Sequence, residues 1–393
     1  MRRMRSLRNI RPATAVAMLV APAVLAGPLA AQETATLGEA QTRSAEPFSD
    51  IAGIRPLSDG TLLVADGLEG RLFRVSGDLA QAEPIGREGA GPREYRTPDA
   101  LYAMAEDTTL MIDLGNGRLS VLAPDGAIVR TIPMASGDGP RMRLMIPNAV
   151  DRNGRVFFRG MGMMRGGVPD SASVQVFDPR SDAAEDVAQV KLPEMNTQSS
   201  GGANNQQTMI RPIPLSREDA WTATPDGDVV IARSGDQVYW LEIVGREGAI
   251  RGPDIPYSPI SVGNADKEEW IAEQSNALGV GMEIENGRRR TTFSRGGRGG
   301  EADPSDFEWP ETKPAFPGGS IQVATNGTIW LRRHVSAGQP SQYDVLDGGG
   351  HLLGSVVLPE GRTLEGFGDG HIYLSSTDDL DFVWLERYEL PVL

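Results

Sequence analysis

Asp66, Asp113, Arg233 and Arg333 each fall six residues after a recurring turn, and Arg159 falls five residues after its own. If the repeats are structurally equivalent, the five side chains reach one rim of a closed ring. Two acids and three arginines there can grip an anionic or zwitterionic ligand through charge-assisted hydrogen bonds. The same charges can instead neutralise one another as an ion-pair network joining neighbouring units. Sequence alone leaves both readings open, because networks and sites use the same residue types.

Other chemistries are poorly provided for. There are three histidines, His334, His351 and His371, all in the last two repeats, whereas a three-histidine zinc site needs ligands converging from several units. Asp66, Asp113, Asn116, Asn148 and Asp151 offer oxygen donors of the kind calcium accepts, yet acids and amides beside turns ordinarily bond their own backbone. The expectation is therefore no cofactor, with calcium or zinc as the alternative. Gly86, Gly89 and Gly91 are followed by Pro92 and do not join a strand to a helix, so they do not form a phosphate loop. Arg288, Arg289, Arg290, Arg295 and Arg298 read as a solvated, Gly-rich basic loop.

The elements that must position these residues are short strands. Six times a turn precedes an apolar burst: Asp59-Gly60, Asp107-Thr108, Asn153-Gly154, Asp226-Gly227, Asn326-Gly327 and Asp369-Gly370. Such turns join adjacent antiparallel strands. Successive turns are separated by 47, 47, 73, 100 and 43 residues. The two long gaps hold segments unlike the rest, Glu194–Pro214 and Ile260–Lys313. Without them each unit spans roughly 45–50 residues, the period of a four-stranded propeller blade. The pattern predicts an all-β chain, a six-bladed β-propeller of four-stranded antiparallel blades, with one helix inserted between blades 4 and 5. That helix begins with Asn264 as its cap, presents Trp270, Ile271 and Leu278 on its apolar face, and ends at Gly279 or Gly281. The last unit has only three strands, so its fourth is expected from Thr34–Thr42, locking the ring.

The first 31 residues read as an export signal. Arg2, Arg3, Arg5, Arg8 and Arg11 precede an Ala-rich apolar run, and Ala30-Ala31 ends it. Residues 32–393 then form a single propeller domain. The remaining 33 basic residues against 53 acidic ones leave a formal charge of −20, which disfavours nucleic acid and anionic membranes. No stable membrane insertion is expected once the signal is removed. The chain has no cysteine, so neither disulfides nor thiolate metal sites contribute.

Residues 85–101, IGREGAGPREYRTPDAL, resemble the linker of NHL-type propeller repeats through Gly89, Gly91, Tyr95 and Pro98. Gly60–Asp66 and Arg71–Val75 resemble the two strands of the same repeat. The C-terminal stretch from Leu358 resembles the last blade of bacterial exported six-bladed β-propellers. This resemblance implies the fold and a periplasmic or secreted location. It implies little about activity, because propellers host binding modules and enzymes alike. The reading is a non-catalytic module that binds a protein or small molecule where the Arg/Asp ring meets the inserted helix. The alternatives are a metal-dependent lactonase-type hydrolase or lyase with a divalent cation in the channel, and a scaffold in an envelope assembly.

Overall fold

The computed structural model describes residues 34–137, 143–160, 169–200, 207–274, 278–285, 288–295 and 303–393. The expected export signal lies outside them. Within the unit that starts at Glu33 the chain is a six-bladed β-propeller of four-stranded antiparallel blades. Blades 1 to 5 begin with innermost strands Gly53–Pro56, Pro98–Ala103, Pro147–Val150, Ala220–Ala223 and Ile321–Val323; blade 6 begins with Arg362–Gly368.

The repeated turns connect the first strand of each blade to the second. In blades 1, 3, 4 and 5 the glycine takes a left-handed conformation, with φ of 83°, 79°, 93° and 84° at Gly60, Gly154, Gly227 and Gly327. Such φ values cost a side-chain-bearing residue energy, which is why glycine recurs there. Blade 2 makes the turn without glycine, holding Glu106 and Asp107 at φ 56° and 53°. The second strands, such as Leu62–Asp66 and Val229–Ser234, are almost wholly buried because neighbouring blades cover both of their faces.

Accordingly there is no single central core. Six apolar clusters fill the six wedges between adjacent blades. Leu62, Val64 and Val75 of blade 1, for example, pack with Tyr373 and Leu385 of blade 6. Polar side chains also stitch blades together: Tyr102 Oη donates to Pro147 O (2.8 Å) and Asn148 Nδ2 to Trp221 O (2.6 Å).

Closure differs in detail from the expectation. Thr42–Arg43 supplies the fourth strand of blade 6, antiparallel to Val383–Glu389. Thr34–Thr36 goes elsewhere, adding a parallel fifth strand to blade 5 against Leu352–Val357. Leu37 drops between them into the apolar wedge of blades 5 and 6. The N-terminal segment thus completes blade 6 and also straps blade 5.

The described parts of both inserts carry secondary structure. Met195–Ser200 and Gln207–Pro212 pair as a hairpin. The second insert is a closed excursion whose stem pairs Ile260–Ser261 with Thr312–Lys313. It contains the helix α1 (Asn264–Gln274) and a hairpin of Leu278–Glu285 with Arg288–Arg295. Several expectations are corrected here. Gly263 rather than Asn264 holds the capping position: its carbonyl accepts from Lys267 N and its N–H donates to the Asp266 carboxylate (2.7 Å), which is the N3 half of a capping box. The described helix spans Asn264–Gln274, and Leu278, Gly279 and Gly281 belong to the following strand rather than to the helix. Arg288–Arg295 is strand rather than loop, since its partner strand absorbs its backbone hydrogen bonds; Arg298 lies outside the described residues. The inserts also touch each other, Asn196 Nδ2 donating to Glu308 (2.8 Å) and Arg211 donating to Asp306 O (2.8 Å). Among the described residues no helix is long and apolar enough to cross a membrane.

Candidate functional site

Antiparallel pairing places the ends of the second strands on the face opposite the repeated turns. The five rim residues do lie at those ends, but their side chains do not converge on one point. Asp66 is buried and caps backbone, accepting from the N–H groups of Ser49 (2.8 Å) and Glu69 (2.9 Å). Asp113 is fully buried; it accepts from Arg96 N (3.0 Å) and Asn116 Nδ2 (2.7 Å) and pairs with Arg118 at 3.2 Å. Arg233 is held between Asp219 (2.7 Å) and Glu242 (2.5 Å) within its own blade. Arg333 pairs with buried Asp344, donates to Ala315 O (2.9 Å) and stacks over Tyr239, 4.8 Å from the ring centroid. The bonds of these four run mostly within a blade, so the network expected to join blades is largely local.

Arg159 differs. It is exposed at the end of the second strand of blade 3 and makes no ion pair among the described residues. It opens onto a cavity of about 620 Å³ at the channel mouth, where blades 3, 4 and 5 meet. The walls are largely apolar, with Leu144, Ile146, Leu192 and Trp221, and the polar groups are Arg159, Asn148, Glu218 and Asp219. Burial raises the Glu218 carboxyl above its ordinary range, while Arg159 and the N–H of Gly318 pull it back only in part. A Cβ at Gly318 would stand 2.3 Å from that carboxylate, so glycine is what lets the two approach.

Glu218 also lines a second cavity, of about 650 Å³, beneath α1. Here Trp270, Glu269 and Glu273 come from the helix, and Arg332, Arg333 and His334 from the end of the second strand of blade 5. His334, at the end of that strand, is half-buried. Burial drives its imidazole down to about 4, and the nearby Lys313, Arg332 and Arg333 add to the effect.

The donors considered for calcium or zinc do not fit a metal. Asp151 spends one carboxylate oxygen on the N–H groups of Asn153 and Arg155 and the other on Arg155 Nε, and it lies at the turn face, away from Asp66 and Asp113. Asn116 and Asn148 belong to different blades, where their amide groups donate to Asp113 and to Trp221 O. Among the described residues no three His, Asp or Glu side chains cluster to hold an ion.

Sequence reasoning missed Glu218, Asp219 and Trp221 as cavity residues. Their only signal was a charged pair just before an apolar strand, in a connection between blades that follows no repeat. Blade fold and rim cavities together define a six-bladed propeller with an open ligand-sized site on one face.

No family model matches the sequence, and neither does any curated protein. Solved propellers are similar in structure only. A DUF4221 family member from Bacteroides vulgatus is 10% identical, with a TM-score of 0.45, over 90% of this chain and 98% of that one. A PQQ-bound aldose sugar dehydrogenase from Streptomyces coelicolor is 13% identical, with a TM-score of 0.39, over 90% and 97%. A calcium-binding regucalcin from Agrobacterium tumefaciens is 12% identical, with a TM-score of 0.34, over 91% and 97%. At these scores and identities the likeness carries no argument about activity.

Proposed function

We propose that the protein is an exported binding module that takes a small organic anion at the channel mouth between blades 3, 4 and 5. The observation that carries this reading is Arg159, an exposed guanidinium outside any ion pair among the described residues, opening onto an apolar cavity of ligand size. Mostly apolar pockets with a few placed polar groups are the usual form of small-molecule sites. The apolar body of the ligand packs against Trp221, Leu144 and Ile146, and its carboxylate takes a bidentate bond from Arg159. The other four rim charges are spent on the fold, and none of them lines this cavity.

Phenylacetate and its neutral amide, phenylacetamide, test this by calorimetric titration. The anion should bind at least about tenfold more tightly than the amide, and Arg159→Met should abolish that preference. Equal affinity for the two, or no binding of phenylacetate up to about 10 mM, overturns the reading.

A further inference from the structure

The cavity beneath α1 has a different chemistry from the one at Arg159. Two of its three strong cations are already committed. Lys313 Nζ sits 2.7 Å from Asp266 Oδ1 and donates to Val335 O (2.7 Å), and Arg333 is tied to Asp344 and Ala315 O. Arg332 lies 3.8 Å from Glu273, too far for a good hydrogen bond. Among the described residues Glu269 has only a long contact, 3.4 Å, from Gly338 N. Glu269 and Glu273 are one helical turn apart and project on the same side as Trp270 into the cavity.

His334 adds a neutral acceptor to these acids. Its Nδ1 is 3.0 Å from Pro314 O, and because a carbonyl only accepts, that nitrogen carries the hydrogen. Nε2 is left as the lone-pair nitrogen, and among the described residues nothing donates to it. Trp270 forms an aromatic wall whose direction is locked by edge-to-face packing on Phe307 (5.3 Å) and Trp309 (5.7 Å). Cavity, unfilled acceptors and a fixed indole occur together, and each favours a ligand that donates hydrogen bonds and carries positive charge.

We infer that the cavity beneath α1 is a second binding site, which takes an organic ammonium group against Trp270 with its N–H bonds directed to Glu269, Glu273 and His334 Nε2. The site is independent of the anion cavity, although Glu218 borders both. It also gives the strongly acidic protein a defined place for a cationic partner.

Benzylammonium and its neutral counterpart, benzyl alcohol, are the probes, titrated at neutral pH and low salt. The ammonium should bind at least about tenfold more tightly than the alcohol, and the double substitution E269Q/E273Q should remove most of that preference. Both glutamates are exposed on the helix, so the thermal midpoint should stay unchanged. Phenylacetate binding should be unaffected by the double substitution. Equal affinity for ammonium and alcohol, no ammonium binding up to about 10 mM, or full ammonium affinity in E269Q/E273Q overturns the inference. Loss of phenylacetate binding in the wild type, with ammonium binding intact, would sink the anion reading and leave this one standing.

Discussion

Lys313 Nζ lies 2.7 Å from Asp266 Oδ1, and the two side chains are only 4% and 8% exposed. Asp266 stands at the start of α1 and Lys313 in the returning stem strand, so one buried ion pair ties the beginning of the second insert to its end. The Asp266 carboxylate also accepts from Gly263 N and from Ala337 N (2.9 Å) in blade 5. This one group therefore fixes the helix cap, the stem and the helix-to-blade contact together.

Lys313→Met should destabilise the insert by about 3–5 kcal/mol, because it strands a buried carboxylate, and Asp266→Asn/Lys313→Met should recover part of that loss. Limited proteolysis of the insert and urea unfolding measure it. Burial would raise the Asp266 pKa, but Lys313 and the two backbone N–H groups outweigh it and hold the carboxyl below its ordinary value. A depressed carboxyl pKa stabilises above the unfolded value, so the tie should persist at neutral pH and fail only as acid titrates Asp266 itself.

His334 has a consequence of the same sign in a higher pH window. Its folded pKa of about 4 lies below the ordinary histidine value of 6.5, so the unfolded chain binds the extra proton first. Stability contributed by the neutral ring is complete above pH 6.5 and is lost as pH falls towards 4, by up to about 3 kcal/mol. Unfolding midpoints measured between those limits should slope downward with acid in the wild type, and the slope should flatten in His334→Gln.

The rim arginines should separate by role. Arg233→Met leaves Asp219 and Glu242 unpaired, and Arg333→Met leaves Asp344 unpaired, so each should cost about 2–5 kcal/mol of stability. Arg159→Met should cost little stability. Denaturation of the three variants beside phenylacetate titration makes the comparison, and equal stability losses in all three would contradict it.

Gly318 should not tolerate a side chain. Gly318→Ala drives a methyl group against the Glu218 carboxylate and should destabilise by about 1–3 kcal/mol. Combining it with Glu218→Ala should relieve much of that penalty, which thermal unfolding of the single and double variants would reveal.

The N-terminal strap should matter more than its length suggests. Removing residues 32–45 deletes Thr42–Arg43 from blade 6 and Thr34–Thr36 from blade 5, and should lower the melting temperature by about 10 °C. Removing only residues 32–37 should have a smaller effect. An unchanged midpoint in the longer deletion would show that the ring closes without the strap.

The blade count was legible because it is written in local chemistry. A glycine with positive φ at Gly60, Gly154, Gly227 or Gly327, followed by an apolar run, needs only its own neighbours to make a turn and a strand. The helix near Asn264 was legible for the same reason, although its start was not, because the cap depends on a bond between Gly263 and Asp266, and Leu278 was misassigned to it because the strand that takes Leu278 is set by pairing with Arg288–Arg295. Equivalent positions for Asp66, Asp113, Arg159, Arg233 and Arg333 also followed from the repeat. What each charge does there did not.

Partners separated along the chain decided that. Arg333 is silenced by Asp344 and Arg233 by Asp219, whereas Arg159 makes no ion pair among the described residues and only influences Glu218, from the connection before blade 4, through space. Repeats and turns are short-range and survive in the sequence as a period. Cavities form only when the ring closes and brings non-repeating connections side by side, so Glu218, His334 and the Asp266–Lys313 tie became visible only in the tertiary structure.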